Sequence, residues 1–286
     1  MSKWDDEQVD RIIELALIED INFGDITSRI LISPDKHGWA SIEAGESGLL
    51  VGGDVARKVF LKVEPTLEVD VLIKDGKQIK KGERVITVSG MATGILKAER
   101  VALNFLSHLS GVASQTAKYV NRIKDTNTII RDTRKTLPGM RLLEKIAVKL
   151  GGGQNHRLHL GDGILIKDNH IAILRQSGMS LGDIVAMVKR KAPKYMEIEI
   201  EVNEFNEALE AATAGVDIIM LDNMSVSEMK QVAVMLSGDV RLEASGGVNL
   251  ENVYEVAKAG VDFISVGSIT HSAKSLDFTL VLKLLK

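Results

Sequence analysis

The stretch 196–202, M-E-I-E-I-E-V, alternates apolar and acidic residues over its whole length. Successive side chains of a β-strand point to opposite faces, so Glu197, Glu199 and Glu201 share one face. An open sheet with helices on both sides would bury these carboxylates against apolar surface, which costs several kcal/mol per unpaired ion. A barrel offers a polar interior in which such charges can pair. The stretch therefore favours a barrel.

The chain around this stretch alternates short apolar strands with helices of about three turns, a pattern typical of parallel strands joined by helical crossovers. Arg241 and Glu243 share a face of a later strand, so an interior could pair its charges. We predict an α/β fold with an incomplete (β/α) barrel of about six to seven parallel strands. The strands are predicted at 128–132, 163–167, 196–202, 217–222, 240–245 and 262–267.

The first part of the chain has a different texture, with two amphipathic helices, at about 5–18 and 95–109, around short alternating segments and glycine turns. We expect an N-terminal α+β sandwich domain over residues 1–112. The barrel domain would cover 113–272 and carry the active site, and the tail 273–286 would pack back on the first domain.

Composition excludes several classes of protein. The chain has 286 residues, a formal net charge of −3, 4% aromatic residues and no cysteine. These values argue against nucleic-acid binding, disulfides, thiolate catalysis and the usual structural zinc sites. The N-terminus is acidic and amphipathic, and no window approaches 18 apolar residues, so we expect a cytoplasmic protein without membrane contact.

Polar residues follow every predicted strand, at the end where parallel barrels form their substrate sites. Several are cations in a chain with little net charge, which indicates a strongly anionic ligand. Arg157 follows a glycine run and His156, and supplies a two-pronged donor for carboxylate or phosphate. The residues at this rim include Thr133, Arg134, Lys135, His156, Arg157, Lys167, Glu201, Asp222, Ser245, Gly246, Gly247 and Gly267.

Two features of the rim have alternative interpretations. The 245–247 and 266–268 loops end the last two strands and could hold a phosphate on backbone N–H groups, or could use glycine only for tight turns. Glu201 and Asp222 could hold Mg²⁺ through oxygen ligands, or could pair with Lys167 or Lys135 inside the barrel.

The remaining histidines and Arg100 are less informative. His37, His108 and His159 are expected to be structural, whereas His271 could reach the same phosphate as the second loop. Arg100 lies on a predicted helix of the first domain and would by default be a solvated charge. From the residues alone we infer transfer chemistry on a phosphorylated, metal-bound sugar or a related polyanion.

Three other readings compete with this inference. Lys167 could form a Schiff base in an aldolase-like or isomerase barrel, although the crowd of arginines favours anion binding. A paralogue of the same fold, such as a molybdenum-associated protein, could bind an anion without transferring ribosyl groups. The hairpin at 73–85 is similar to lipoyl-type carrier modules, but its turn has no exposed lysine flanked on both sides by methionine or aspartate.

The runs T-R-K-T-L-P-G-M-R-L-L-E-K, G-G-G-Q-N-H-R, L-I-K-D-N-H, E-I-E-V, L-D-N, E-A-S-G-G and V-G-S-I-T-H-S-A resemble, in this order, the quinolinate phosphoribosyltransferase family. The N-terminal A-L-I-E-D-I-N-F-G-D-I-T is also similar, so the resemblance covers nearly the whole chain. It implies conversion of quinolinate and 5-phosphoribosyl-1-pyrophosphate to nicotinate mononucleotide, pyrophosphate and CO₂ in NAD biosynthesis.

The resemblance also implies roles for individual residues. Arg134, His156, Arg157 and Lys167 would hold the two quinolinate carboxylates, and Lys135 and Lys167 would face the sugar pyrophosphate. Glu201 and Asp222 would lie near the ribose and Mg²⁺. Ser245, Gly246, Gly247, Gly267 and His271 would hold the 5′-phosphate. Arg100 would reach into the neighbouring subunit's site, so a homodimer or higher assembly is expected.

Overall fold

A computed structural model describes residues 3–236, 238 and 240–284. Its helices, in chain order, are α1 (Lys3–Ile21), α2 (Ile26–Leu31), α3 (Gly53–Val63), α4 (Ala92–Arg122), α5 (Arg141–Leu150), α6 (Asp168–Arg175), α7 (Leu181–Lys191), α8 (Phe205–Ala214), α9 (Val226–Met235), α10 (Val253–Lys258) and α11 (Ser268–His271). Its strands are β1 (His37–Ala44), β2 (Gly48–Leu49), β3 (Glu68–Val71), β4 (Gln78–Ile79), β5 (Arg84–Met91), β6 (Ile129–Arg131), β7 (Ile164–Ile166), β8 (Ile198–Val202), β9 (Ile218–Asp222), β10 (Arg241–Ser245), β11 (Phe263–Ser265) and β12 (Phe278–Leu284).

The chain divides into two units, which we call the N-terminal unit and the barrel unit. The N-terminal unit holds the residues up to Ala117, the segment Thr136–Gly152 and the residues from Ser268 onward, and the barrel unit holds Lys118–Lys135 and Gly153–Gly267. This division differs from the predicted bounds of 1–112 and 113–272 mainly at 136–152. That segment contains α5, which contacts α1 and α11 in the N-terminal unit.

The N-terminal unit is built on a four-stranded sheet in the order β12-β1-β5-β3. The tail strand β12 pairs antiparallel with β1. Ile42 on β1 and Ile86 on β5 face each other across the sheet and are fully buried. Phe60 on α3 is fully buried as well, and these apolar side chains form the core.

Helix α4 is much longer than the predicted helix over 95–109, since it runs for 31 residues through Gly111. The sequence suggested that Gly111 marks the change between two domains. In the structure it instead allows the backbone of Lys274 and Ser275 to approach the helix, because a Cβ atom at Gly111 would lie 3.0 Å from the carbonyl carbon of Lys274. The glycine provides close packing and does not end the helix.

The barrel unit contains one six-stranded parallel sheet in the order β6-β11-β10-β9-β8-β7. Each strand from β7 to β10 pairs with the next along the chain, and β11 returns to pair with β6. This cyclic order is that of a (β/α) barrel with one gap, which lies between β6 and β7. Gln154 adds a single parallel bridge to β6. The predicted fold class is therefore confirmed.

Glu197 directly precedes β8, and Glu199 and Glu201 lie within it; each of the three meets a cation from another segment of the barrel unit. Glu197 accepts a hydrogen bond from Arg241 at 2.6 Å. Glu199 lies 2.8 Å from His156, and Glu201 lies 3.3 Å from Lys167. The Glu199–His156 pair is buried, at 6% and 9% exposure, whereas Glu197 and Arg241 are 58% and 41% exposed and Lys167 is 46% exposed. Of the three carboxylates, Glu199 is therefore the one whose charge is paired deep inside the barrel unit, as the argument for a barrel requires.

Two aspartates tie the beginnings of barrel strands together. Asp217 accepts from the backbone N–H of Ile198 at 2.7 Å, and Asp262 accepts from that of Leu242 at 2.8 Å. Each therefore satisfies a donor of the neighbouring strand at the end opposite to the predicted site. No helix within the described part of the chain is long and apolar enough to cross a membrane.

Candidate active site

A cavity of about 480 Å³ opens at the carboxyl ends of the barrel strands. It brings together every site residue predicted from the sequence except Arg100, Gly267 and His271. The residues that line it are Thr133, Arg134, Lys135, His156, Arg157, Leu165, Lys167, Glu201, Met220, Asp222, Asn223, Ser245, Gly246, Gly247 and Ser265.

The three exceptions lie elsewhere. Gly267 belongs to the barrel unit, two residues after β11, but does not line the cavity. Arg100 lies on α4 and His271 ends α11, and both belong to the N-terminal unit. Both are exposed, and Nδ1 of His271 lies 2.6 Å from the hydroxyl of Ser272.

The cationic side of the cavity comes from the segment after β6, from the loop before β7 and from the end of β7. Arg157 donates to the carbonyl of Gly163 at 3.3 Å. Burial, together with the charge of Arg134, lowers the pKa of Arg157. An arginine in this position loses hydration and is repelled by the neighbouring arginine. A bound anion offsets both effects, so it should interact more favourably with this arginine than with a solvated one.

Lys167 and Glu201 form an ion pair at 3.3 Å in this cavity. The lysine is 46% exposed and the glutamate 14% exposed, so the pair lies at the boundary between the interior and solvent. The alternative interpretation of Glu201 as the partner of an interior lysine is therefore observed. A negatively charged substrate could replace Glu201 as the partner of Lys167. Little stability would be lost, because a half-exposed ion pair contributes little to the free energy of folding.

His156 occupies the floor of the cavity and contacts protein at both ring nitrogens. Nε2 lies 2.8 Å from Glu199, and in the neutral ring Nδ1 accepts from the backbone N–H of Arg157 at 2.8 Å. Its own backbone N–H donates to the fully buried Asp132. His156 thus connects Glu199 to the backbone of Arg157 while lining the cavity, and its direct contact with an anion stays a prediction.

Two more charges complete this floor. Arg131 donates to Glu243 at 2.8 Å and stacks on the ring of Phe263, and Ser265 donates to the same carboxylate. Burial alone would lower the pKa of His156, but Glu199 and Glu243 together raise it. Desolvation and the charge of Glu199 also raise the pKa of Glu243. The raised pKa values of His156 and Glu243 both favour the protonated form of these two side chains.

This floor also contains the one group of three possible metal ligands found among the described residues, namely His156, Glu199 and Glu243, whose ligand atoms lie within 4.8 Å of one another. Arg131 and the histidine already balance the two carboxylates. The acidic pair on the rim, Glu201 and Asp222, offers only oxygen donors next to the cations, a donor set that fits Mg²⁺ held partly through substrate.

The glycine turn after β10 has consecutive positive φ angles, 91° at Gly246 and 63° at Gly247. The next helix, α10, begins at Val253, six residues after Gly247. Between them, the side-chain oxygen of Asn249 accepts from the backbone N–H of Asn252 and that of Asn252 accepts from the backbone N–H of Asn249, so the two residues cap the turn that leads into α10. Any anion at this turn would meet the backbone N–H groups of the turn itself.

Several residues of the site were missed in the sequence. Ser265 and Met220 line the cavity, and Glu243 supports its floor. The alternation of side chains along a strand, already used for 196–202, could have identified them. Residues in register on neighbouring parallel strands lie on the same face of the sheet. No role was predicted for Asn223, which follows Asp222 and lines the cavity with a positive φ.

The histidines that the sequence assigned to structural roles have such contacts. His108 lies 2.8 Å from the buried Glu144, which also accepts from the backbone N–H of Leu137. Nδ1 of His37 lies 3.0 Å from the carbonyl of Asp35, and Nδ1 of His159 accepts from the backbone N–H of Gly161.

Similarity to known proteins agrees with this geometry. Residues 25–110 match the model of the quinolinate phosphoribosyl transferase N-terminal domain, and residues 112–281 match that of the C-terminal domain. The chain is 38% identical over 276 residues to the probable nicotinate-nucleotide pyrophosphorylase [carboxylating] of Bacillus subtilis, covering 96% of this chain and 93% of that protein.

Two further relatives are equally similar along their whole length. The nicotinate-nucleotide pyrophosphorylase [carboxylating] of Mycobacterium leprae is 40% identical over 275 residues, which cover 94% of this chain and 95% of that one. The crystal structure of NadC from Streptococcus pyogenes superposes with a TM-score of 0.92 at 40% identity and covers 98% of both chains. The chain belongs to the quinolinate phosphoribosyltransferase family.

Proposed function

We propose that this chain joins quinolinate to 5-phosphoribosyl-1-pyrophosphate and releases nicotinate mononucleotide, pyrophosphate and CO₂, the step that supplies the pyridine nucleotide for NAD. One observation carries the proposal: the ends of separate barrel strands bring cations, carboxylates and a glycine turn to one cavity. Family membership supports the same reaction, since relatives that match most of the chain are named for it.

The cationic side would bind the pyridine substrate. Arg134 and Arg157 each offer a planar fork of donors to a carboxylate, and quinolinate has two carboxylates on adjacent ring carbons. His156 would act through Arg157, because its ring accepts the backbone N–H of that residue. Lys135 and Lys167 would neutralise the pyrophosphate, with Lys167 released from Glu201 as the substrate arrives.

The carboxylates would serve the bond-breaking step. The C1–oxygen bond to pyrophosphate breaks with positive charge developing on the ribose, which the carboxylates of Glu201 and Asp222 would stabilise. The ring nitrogen then attacks C1 with its lone pair. The resulting cationic ring accepts the electron pair of the C2–carboxylate bond as CO₂ leaves, and C2 takes up a proton from solvent.

Mg²⁺ is the proposed metal, held by Glu201 and Asp222 directly or through water. When bound it would supply charge neutralisation for the departing pyrophosphate. The 5′-phosphate would lie against Ser245, Gly246 and Gly247, and Gly267 and His271 are proposed to complete this phosphate site. The exposed N–H groups of a turn with two successive positive φ angles suit an anion.

A homodimer or higher assembly is proposed, with Arg100 contributed to the partner's site. Arg100 is exposed on α4. An apolar patch on α1, α2 and their connection supports association, because exposed aromatic and aliphatic side chains near one another usually mark an interface. Its members are Leu15, Ile18, Phe23, Ile26, Ile30 and Leu31, which are 50–91% exposed. A cytoplasmic location stays a prediction from the sequence.

The decisive experiment is a product assay on the purified chain. Quinolinate and nicotinate are supplied in parallel with 5-phosphoribosyl-1-pyrophosphate, each with Mg²⁺ and with excess chelator, and nicotinate mononucleotide and CO₂ are measured. We expect product from quinolinate with Mg²⁺ only, with one CO₂ for each nucleotide. Nucleotide without CO₂ would contradict the proposal, and borohydride trapping of Lys167 on a sugar phosphate would favour Schiff-base chemistry instead.

A further inference from the structure

Asn223 has a backbone conformation that is uncommon for a non-glycine residue. Among non-glycine residues in the described part of the chain, it alone has a positive φ, of 55°. It directly follows Asp222 at the carboxyl end of β9 and lines the cavity. Asparagine tolerates the left-handed region better than most residues, yet non-glycine residues in this region concentrate where a function requires the strain.

The side chain of Asn223 contacts one of the carboxylates assigned to the reaction. Its Nδ2 atom donates a hydrogen bond to Oδ2 of Asp222 at 3.0 Å. Only the amide nitrogen can donate to a carboxylate, so the chemistry itself orients the amide group. The bond occupies one oxygen of Asp222 and leaves the other for a ligand.

The same residue also contacts the glycine turn after β10. The backbone N–H of Asn223 donates to the carbonyl of Ser245 at 2.9 Å. A Cβ atom at Gly246 would lie 2.6 Å from Cγ and 2.9 Å from the backbone nitrogen of Asn223. Gly246 therefore lacks a side chain because Asn223 occupies that space, in addition to its own positive φ.

We propose that Asn223 is a positioning residue for the phosphoribosyl substrate, which holds the carboxylate of Asp222 at a fixed distance from the Ser245–Gly246 turn. The inference rests on the proposed function, in which Asp222 faces the ribose and the turn faces the 5′-phosphate. One rigid residue that contacts both would keep two ends of the same substrate in register. Quinolinate, on the cationic side, would not depend on it.

The distinguishing measurement is the pattern of kinetic constants in Asn223→Gly and Asn223→Asp. The glycine variant removes the amide but accepts the backbone conformation without strain, and the aspartate variant keeps the shape but replaces the donor with a like charge. For both we expect a rise of about tenfold or more in KM for 5-phosphoribosyl-1-pyrophosphate and a lower kcat, at an unchanged KM for quinolinate.

Two further measurements separate positioning from a merely structural role. Asn206→Asp, on the exposed side of α8, is the control for added charge and should keep wild-type constants. The rise in Tm on adding 5-phosphoribosyl-1-pyrophosphate alone should shrink in the Asn223 variants, because this shift reports ligand affinity without turnover. If the aspartate variant fails to fold, the glycine variant alone decides.

The inference and the proposed function fail in different ways. The positioning role would be overturned if Asn223→Gly kept wild-type values of kcat, of KM for each substrate and of the ligand-induced Tm shift. Equal losses for both substrates would do so as well, because they would indicate general damage to the fold. Absence of nicotinate mononucleotide with the unmodified chain would instead reject the proposed function.

Discussion

Nε2 of His156 lies 2.8 Å from Oε2 of Glu199, and the two side chains are 9% and 6% exposed. The pair joins the interior of the barrel unit to its cavity, because Glu199 belongs to the alternating strand β8 while His156 accepts the backbone N–H of Arg157. The strand that determines the fold therefore also supports the cationic side of the site.

The first prediction concerns the pH dependence of stability. The pKa of His156 is raised in the folded protein, so its stabilising contribution is complete below about pH 6.5 and is lost as pH rises through the folded value. Glu199→Gln should lose about 1–3 kcal/mol of unfolding free energy at pH 6 and less at higher pH. Denaturant titrations of both proteins across pH 5.5–8.5 measure the difference, and parallel curves would contradict it.

The second prediction concerns substrate selectivity within the cavity. Arg157→Ala should raise KM for quinolinate by about a hundredfold, or abolish turnover, since a desolvated two-pronged donor is lost. KM for 5-phosphoribosyl-1-pyrophosphate should change much less. Arg190→Ala, exposed on α7, is the matched control and should behave as wild type. Near-normal quinolinate kinetics in Arg157→Ala would remove the arginine from the substrate site.

The third prediction tests whether two chains share a site. Arg100→Ala and Lys167→Ala should each be nearly inactive alone, and their mixture, after subunit exchange, should recover about a quarter of wild-type activity when sites combine at random in a dimer. Recovery requires that Arg100 acts in the partner's site. Sedimentation of each variant checks that assembly is unchanged, and a mixture that stays inactive would indicate self-contained subunits.

Much of the barrel could be predicted because its signal is local. A strand with carboxylates at every second position needs partners for them, and Glu199 pairs with the buried His156 while Glu201 and Glu197 pair with the partly exposed Lys167 and Arg241. Strand ends in a parallel sheet lie at one edge, so residues that follow the strands were predicted to meet. These expectations depend only on the period of a strand and on strand direction.

The features that were missed depend on packing between distant segments. Nothing near Asn223 indicates that its side chain fills the space above Gly246, which is 23 residues further on. Helix α5 was assigned to the barrel by its position in the chain, yet its apolar residues Leu142, Leu143, Ala147 and Val148 are buried in the N-terminal unit. Sequence periodicity identifies a buried face but not the partner that covers it.

The last prediction concerns Gly111, whose role the sequence did not reveal. Glycine inside a helix usually costs about 1 kcal/mol relative to alanine, so Gly111→Ala in α4 would be expected to stabilise a free helix. Because an added Cβ would meet the backbone of Lys274 and Ser275, the change should instead destabilise the protein by about 1–3 kcal/mol.

Gly182→Ala in α7 is the matched control, since the nearest neighbour of its added Cβ would be Ser180 Oγ at 3.8 Å, and it should stabilise the protein by about 0.5–1 kcal/mol. Unfolding free energies of the two variants should therefore have opposite signs relative to wild type, and a stabilised Gly111→Ala would show that the tail backbone can move away from α4.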